Sequence, residues 1–569
     1  MYPLTQILSA NLPQNDLIAL NPPLTRANFN QSVFALSGRL KAEKVQSAAL
    51  WFEDAAAFAC ALLAVWHSGA HALLLPNLAD DNLAWVATAD VVLTDSDDQR
   101  LFSDGLKVWQ VDFEQIRPPE HQPVYPAHTD IPATAQAHLK TSGSSGEAQI
   151  IIKTAAQMEA EALALAAAVP FGKDGATVIG SVLPQHMYGF TFRFALSLTM
   201  GWTMARPQAV YPEDLLGFSM PSENVVWIAS PAVLNRLGEQ RNWAAVNGKL
   251  IGIVSAGGAL PENTAALLAQ KAVRPYEIYG STETGVIASR QHNLLWQAFD
   301  NVTLNQDSDG SLHVESPWTN GVWHSADMIE QQPDGFVLLG RKDRIIKFED
   351  KRVSLTQIEH ELLQHPWIAD AHCGQHPQHQ RIAVWAALNA QGITALREQG
   401  RAAVADALKK HLAASQDKTA LPRYWRFTDA LPRNPQAKIA ASDFQTAFTT
   451  PQTAPLWQTM PSENEGVQRY HARVPLDLTY FGGHFAEFPL VPGVIEVQWI
   501  RDLAAQFAWG KQDLIRIENL KYQQFIRPHD EIDVELAYDA DKNKLTFKIT
   551  HNQAACASGR LVFAEGSRA

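Results

Sequence analysis

The chain of 569 residues predicts an α/β fold with two smaller α+β units behind it. Three observations point there. Strand-like and helix-like runs alternate through residue 255. From Gly310 onward, short strand-like runs alternate with turns. Beyond a Pro-, Thr- and Gln-rich stretch at 449–463, one apolar helix precedes several long alternating strands.

Residues 48–52 read as a strand, 55–67 as an apolar helix, 70–76 as a buried strand, 78–88 as a short helix and 90–95 as a third strand. The same texture returns at 177–183, 224–230 and 249–255. Such alternation gives βαβ units and a largely parallel sheet, whose ligands sit beyond the carboxyl ends of the strands. Residues that follow each strand are therefore the site candidates. Next, 311–315, 335–339 and 344–348 read as short strands, and 354–363 and 393–412 as helices. In the last stretch 494–507 reads as a helix, followed by antiparallel strands at 514–525, 531–537, 544–550 and 557–563.

Composition excludes several classes of function. Acidic residues number 59 against 46 basic, a net charge of −13, which is unlike a protein that binds a nucleic-acid backbone. Hydrophobic residues at 46% with 18% charged exclude global disorder. Cys60, Cys373 and Cys556 lie far apart with no CxxC pair, so a reducing cytoplasm is expected rather than a disulfide scaffold. No apolar run is long enough to predict a membrane span, and the N-terminus lacks the basic start of a signal peptide.

Thr141-Ser142-Gly143-Ser144-Ser145-Gly146 is the first sharp signal. Glycines let the backbone approach a polyphosphate, while amides and hydroxyls ring its oxygens. Taken alone the segment reads as readily as a surface turn. It has companions: Ser255-Ala256-Gly257-Gly258 and Tyr279-Gly280-Ser281-Thr282-Glu283, each at a strand end. Ser325-Ala326-Asp327, Gly340-Arg341-Lys342-Asp343 and Asn434-Pro435-Gln436-Ala437-Lys438 follow.

This set, in this order, resembles the adenylate-forming superfamily of acyl- and aryl-CoA synthetases, luciferases and adenylation domains over about residues 1–448. The resemblance implies a large N-terminal domain at 1–339 and a mobile lid domain at 340–448, hinged at Asp343. It implies ATP and Mg²⁺ as cofactors, a carboxylic acid as substrate, and CoA or the phosphopantetheine of an acyl carrier protein as acceptor. Thr141 to Gly146 would cradle the phosphates, Thr282 would donate to the α-phosphate, and Glu283 would hold the metal. Asp327, assisted by Arg341, would accept from the ribose hydroxyls. Gly257, Gly258 and Tyr279 would sandwich adenine, and Lys438 would bridge the carboxylate and the α-phosphate. His186 would line the acyl pocket; its plainer reading is a satisfied core histidine.

The chain departs from the family pattern in places. The phosphate loop continues Glu147-Ala148-Gln149 where the family has Lys-Pro-Lys, which leaves Lys153 as a substitute cation. Asp350 and Ala437 stand where the family has glycines. His372, Cys373, His376 and His379 crowd into eight residues, but without a separated second pair they read as a solvated turn rather than a zinc site.

Residues 467–569, after a linker at 449–466, resemble the hotdog-fold 3-hydroxyacyl thioester dehydratases, in particular those of aryl-polyene and related lipid pathways. The residues that carry this run from Tyr480-Phe481-Gly482-Gly483-His484 through Pro492-Gly493-Val494. The resemblance makes His484 the base and the Gly493 N–H, at a helix N-terminus, the group that polarises the thioester carbonyl. The acid is expected fourteen residues after the histidine, where Gln498 stands. Glutamine is no proton donor to a departing hydroxide. Glu496 lies about 200° round the helix from Gln498 and is expected to face elsewhere. Working dehydratase, thioesterase and carrier-binding module all remain open for this unit. So does a non-catalytic scaffold that binds acyl-AMP or thioester. The leading expectation is an AMP-forming acyl-CoA or acyl carrier protein synthetase fused to a dehydratase-like domain, cytoplasmic and homodimeric through the hotdog, with no nucleic-acid partner.

Overall fold

The helix Ala55–Ser68 is apolar on every face, and such a helix is stable only when it is enclosed. In the computed structural model it is enclosed: every residue from 55 to 66 is buried. Asp54 caps it, accepting from the amides of Ala56 at 2.7 Å and Ala57 at 3.1 Å. Its core cluster joins Ala48, Leu50 and Leu74 of one sheet to Met204 of another, so the helix is the filling between two sheets. The structure describes residues 1–102, 106–112, 126, 128–141, 149–292, 295–307, 310–348, 351–379, 381–416, 421–433, 439–462, 464, 466–483 and 486–564. They fall into two compact units, Met1–Lys342 and Asp343–Ala569.

In the first unit, the expected largely parallel sheet is two sheets. One has six strands, in the order Val108–Gln110, Val91–Thr94, Ser47–Trp51, His71–Leu74, Gln136–Thr141 and Gln149–Thr154, parallel except for the last. The other has nine. Its parallel centre runs Tyr276–Ser281, Leu250–Ser255, Val225–Ile228, Thr177–Gly180, Thr203–Gln208 and Leu17–Leu20. A four-stranded antiparallel sheet, Thr303–Gln306 to Gly335–Arg341, follows.

The second unit holds an α+β part and a six-stranded antiparallel sheet. That sheet runs Gln458–Met460, Val467–Arg473, Glu531–Asp539, Lys544–His551, Ala554–Phe563 and Leu514–Tyr522. Period-two patterning sets its inner face: Ile532, Val534 and Leu536 pack beside Leu545, Phe547 and Ile549. The helix Gly493–Ala504 covers this face with Val497, Ile500, Leu503 and Ala504. Gln458–Met460, within the 449–466 segment, pairs with Val467–Arg473, and Thr453 accepts from the Trp499 indole at 2.9 Å.

The two parts of this unit are clamped together. Asp477 is buried and receives Arg401 at 2.5 Å; Arg397 donates to the Pro528 carbonyl at 2.5 Å and to Asp530 at 2.7 Å. Leu476 enters the core of the α+β part. Helix Ala390–Leu412 breaks at Gly400, whose φ of 81° and ψ of 167° only glycine adopts readily. A Cβ there would run into the Ala486 carbonyl. Gly400→Ala should therefore cost about 2 kcal/mol and lower the melting temperature of this unit by ~4–8 °C. An unchanged calorimetric transition would show that the clamp contributes nothing.

Candidate functional site

Four neighbouring parallel strands of the nine-stranded sheet end at one edge, and the segments that follow three of them carry expected residues. Gly257 and Gly258 follow Leu250–Ser255, exposed, with Gly257 at φ 83°. Thr282 and Glu283 follow Tyr276–Ser281. His186 follows Thr177–Gly180, just before a π-helical stretch, Phe190–Leu196. Burial holds the His186 pKa down at about 4, so its ring is neutral near pH 7.

The Thr282–Glu283 turn is braced from inside. Ser281 and Thr284 tie its ends, Oγ to Oγ1 at 3.0 Å and Ser281 N to Thr284 Oγ1 at 3.1 Å. Lys153 Nζ donates to the Glu283 carbonyl at 3.0 Å and to the Trp318 carbonyl at 2.8 Å. Glu161 accepts from the Val286 amide at 2.8 Å, and Gly285, at φ 67°, leaves the space its carboxylate occupies. Lys153 is only 1% exposed, which corrects the expectation that it could substitute for a phosphate-loop lysine. Burial lowers its pKa and raises that of Glu161. Nothing in the run Ile150-Ile151-Ile152-Lys153 announces this inward position.

A carboxylate stands at a second corner. Tyr279 Oη donates to Asp327 Oδ2 at 2.6 Å, and Ser325 Oγ donates to the same oxygen at 3.0 Å. Asp327 lies opposite Arg341 in the antiparallel ladder. The Tyr279 ring packs edge-on to Phe336, with centroids 6.2 Å apart. One tyrosine thus joins the surface expected for adenine to the carboxylate expected for ribose.

Other expected residues fall elsewhere. Thr141 ends the strand Gln136–Thr141 opposite Gln149. Ser142, Gly143, Ser144, Ser145, Gly146, Asp350, Ala437, Lys438 and His484 lie outside the described residues, as does the Asp343 side chain. His372 pairs with Glu359 at 3.1 Å, while His379 stacks on Tyr424 and the His376 ring tilts against it. On the four-stranded sheet Asp307, His313 and His324 form a hydrogen-bonded chain that the sequence did not suggest, at 2.9 and 3.0 Å.

In the C-terminal unit Gly493 opens the helix Gly493–Ala504, with Pro492 at its N-cap. Gln498 is exposed and donates to Asp502 at 2.7 Å. Glu496 is the inward group: it is 3% exposed, and its Oε2 has no hydrogen-bond partner among the described residues.

A parallel sheet offering glycines, a threonine and a carboxylate at its carboxyl edge, with a second carboxylate held by tyrosine, defines a nucleotide-binding α/β protein. Residues 15–310 match the family described as AMP-binding enzyme, and the chain belongs to that family. Residues 460–560 match the family described as ApeI dehydratase. The L-proline–[L-prolyl-carrier protein] ligase of Pseudomonas fluorescens is 26% identical over 272 residues, 41% of this chain and 52% of that protein. The 4-coumarate–CoA ligase of Cereibacter sphaeroides is 24% identical over 246 residues, 43% of this chain and 57% of that protein. The chain thus spans about half the length of these curated relatives. Among solved structures, the anthranilate CoA ligase AuaEII in complex with anthranoyl-AMP superposes with a TM-score of 0.68 at 16% identity. That match covers 78% of this chain and 97% of the other, and it establishes the adenylate-forming ligase fold. No helix among the described residues is long and apolar enough to cross a membrane.

Proposed function

We propose that residues 1–448 activate a carboxylic acid with ATP and pass the acyl group to CoA or an acyl carrier protein, and that residues 467–569 dehydrate a 3-hydroxyacyl thioester. The observation that carries the first half is the meeting of Tyr279, Ser325 and Asp327 on one side and the braced Thr282–Glu283 turn on the other. A carboxylate oxygen attacks the α-phosphorus and pyrophosphate leaves; a thiolate then attacks the acyl carbonyl and AMP leaves. Tyr279 and Ser325 occupy Oδ2 of Asp327, so Oδ1 is the acceptor offered to the ribose hydroxyls. Thr282 donates to the α-phosphate and Lys438 bridges the two anions. The hard carboxylate oxygens of Glu283 suit Mg²⁺, and Glu283 would hold that ion, which would supply positive charge to offset that of the phosphates. Domains at 1–339 and 340–448, with a hinge at Asp343, let one site serve both half-reactions. Both a carrier-protein ligase and a CoA ligase stand among the relatives, so either acceptor fits. Acid-dependent ATP–pyrophosphate exchange across a panel of aliphatic and aryl acids tests this; no exchange with any acid would overturn it.

The same reading makes the chain a cytoplasmic homodimer. Its cysteines are all unpaired. The edge strand Leu514–Tyr522 leaves Ile515 59% and Ile517 41% exposed, an unprotected apolar edge that a second copy would cover. Ile517→Lys should halve the mass seen by light scattering; a wild type that is already monomeric would refute the pairing.

A further inference from the structure

The C-terminal unit needs an acid and does not have one where spacing places it. Gln498 points to solvent and bonds to Asp502. Glu496, two residues earlier, lies on the sheet-facing stripe with Ile500, Leu503 and Ala504. Gly493 and Glu496 are three residues apart, so they share a helix face. The Tyr522 ring lies against Gly493 and is electrostatically coupled to Glu496. Around this helix start Phe488, Val494, Tyr522 and Phe525 form an exposed apolar rim, with Phe488 and Phe525 edge to face at 6.3 Å. An apolar acyl chain has a surface to follow there, and one turn into the helix lies a buried carboxyl whose Oε2 has no hydrogen-bond partner among the described residues.

We propose that Glu496, not Gln498, is the catalytic acid of the hotdog unit, acting on 3-hydroxyacyl thioesters. This rests on the dehydratase reading above. His484 takes the α-proton, the Cα–Cβ double bond forms, the Cβ–O bond breaks, and the Glu496 proton leaves with the hydroxyl as water. A proton passing from His484 back to Glu496 through solvent restores the start. Among the described residues, Glu496 acts electrostatically on Tyr522 and Cys556, and Asp530 acts on Cys556 as well. No cation is among these described groups. Burial alone accounts for a carboxyl pKa of about 7, so the acid form is present at neutral pH.

The full-length protein, with 3-hydroxyoctanoyl-N-acetylcysteamine as probe and enoyl-thioester absorbance as readout, tests this. Glu496→Gln should lower kcat by ~10²–10⁴-fold with KM little changed, whereas Gln498→Ala should stay within about threefold. Wild-type kcat should fall as pH rises through about 7, and Glu496→Asp should keep that limb. Folding distinguishes itself from chemistry in the same variant. The native pKa lies above the ordinary carboxylate value, so wild-type stability declines as pH rises from 5 to 8. Glu496→Gln escapes that decline and should melt progressively higher than wild type over the same range. Wild-type turnover that survives Glu496→Gln, or a melting difference independent of pH, overturns the assignment alone. A wild type that turns over no probe at any pH overturns both the assignment and the dehydratase reading.

Discussion

Lys438→Ala should cut acid-dependent ATP–pyrophosphate exchange by about 10³-fold, ~4 kcal/mol, while thioester formation from supplied acyl-AMP stays near the wild-type rate. Adenylation brings a carboxylate against a phosphate, and their repulsion is greatest as the new bond forms. An ammonium between them acts only there, so its loss appears in kcat of the first half-reaction. The second half-reaction starts from a neutral carbonyl and a thiolate, with the phosphate as leaving group, and makes no such demand. Near-normal exchange in the variant would remove Lys438 from the mechanism. Equal loss in both half-reactions would mean that the variant fails through folding.

Much of the fold was legible because buried parallel strands are runs of branched apolar residues. Val225–Ile228 and Leu250–Ser255 needed no context. That the strands split into two sheets was not legible, since pairing such as Leu17–Leu20 beside Thr203–Gln208 is set by distant packing. Helix Arg26–Ala42 was missed because its apolar residues are diluted by Asn, Gln, Ser and Arg. For the site, the order of the motifs placed Thr282, Glu283 and Asp327 on segments that converge. Counting from His484 placed Gln498 at the acid position, yet which face of a helix turns inward is decided by the sheet beneath it. The signal was present: Glu496 sits four residues before Ile500 and seven before Leu503, on the apolar stripe. Lys153 carried no such signal.

Lys153→Met should lower stability by about 3 kcal/mol and reduce adenylation together. Lys153 is 1% exposed and donates to the part-buried carbonyl of Glu283 and the buried carbonyl of Trp318. Methionine fills the stem but orphans both carbonyls, each at about 1–3 kcal/mol. It also removes the cation coupled to Glu161, although that carboxyl, already raised by burial, takes up a proton and limits the loss. Because the Glu283 carbonyl is one of the two acceptors, the Thr282–Glu283 turn loosens in the same variant. Adding Glu161→Gln should recover part of the stability, since the two groups are coupled and their changes are not additive. A lysine that only contacted phosphate would behave differently: its loss would slow adenylation and leave the melting temperature unchanged. Thermal melts of Lys153→Met and Lys153→Met/Glu161→Gln, read beside pyrophosphate exchange, separate the two roles, and an unchanged melt would return Lys153 to the phosphates.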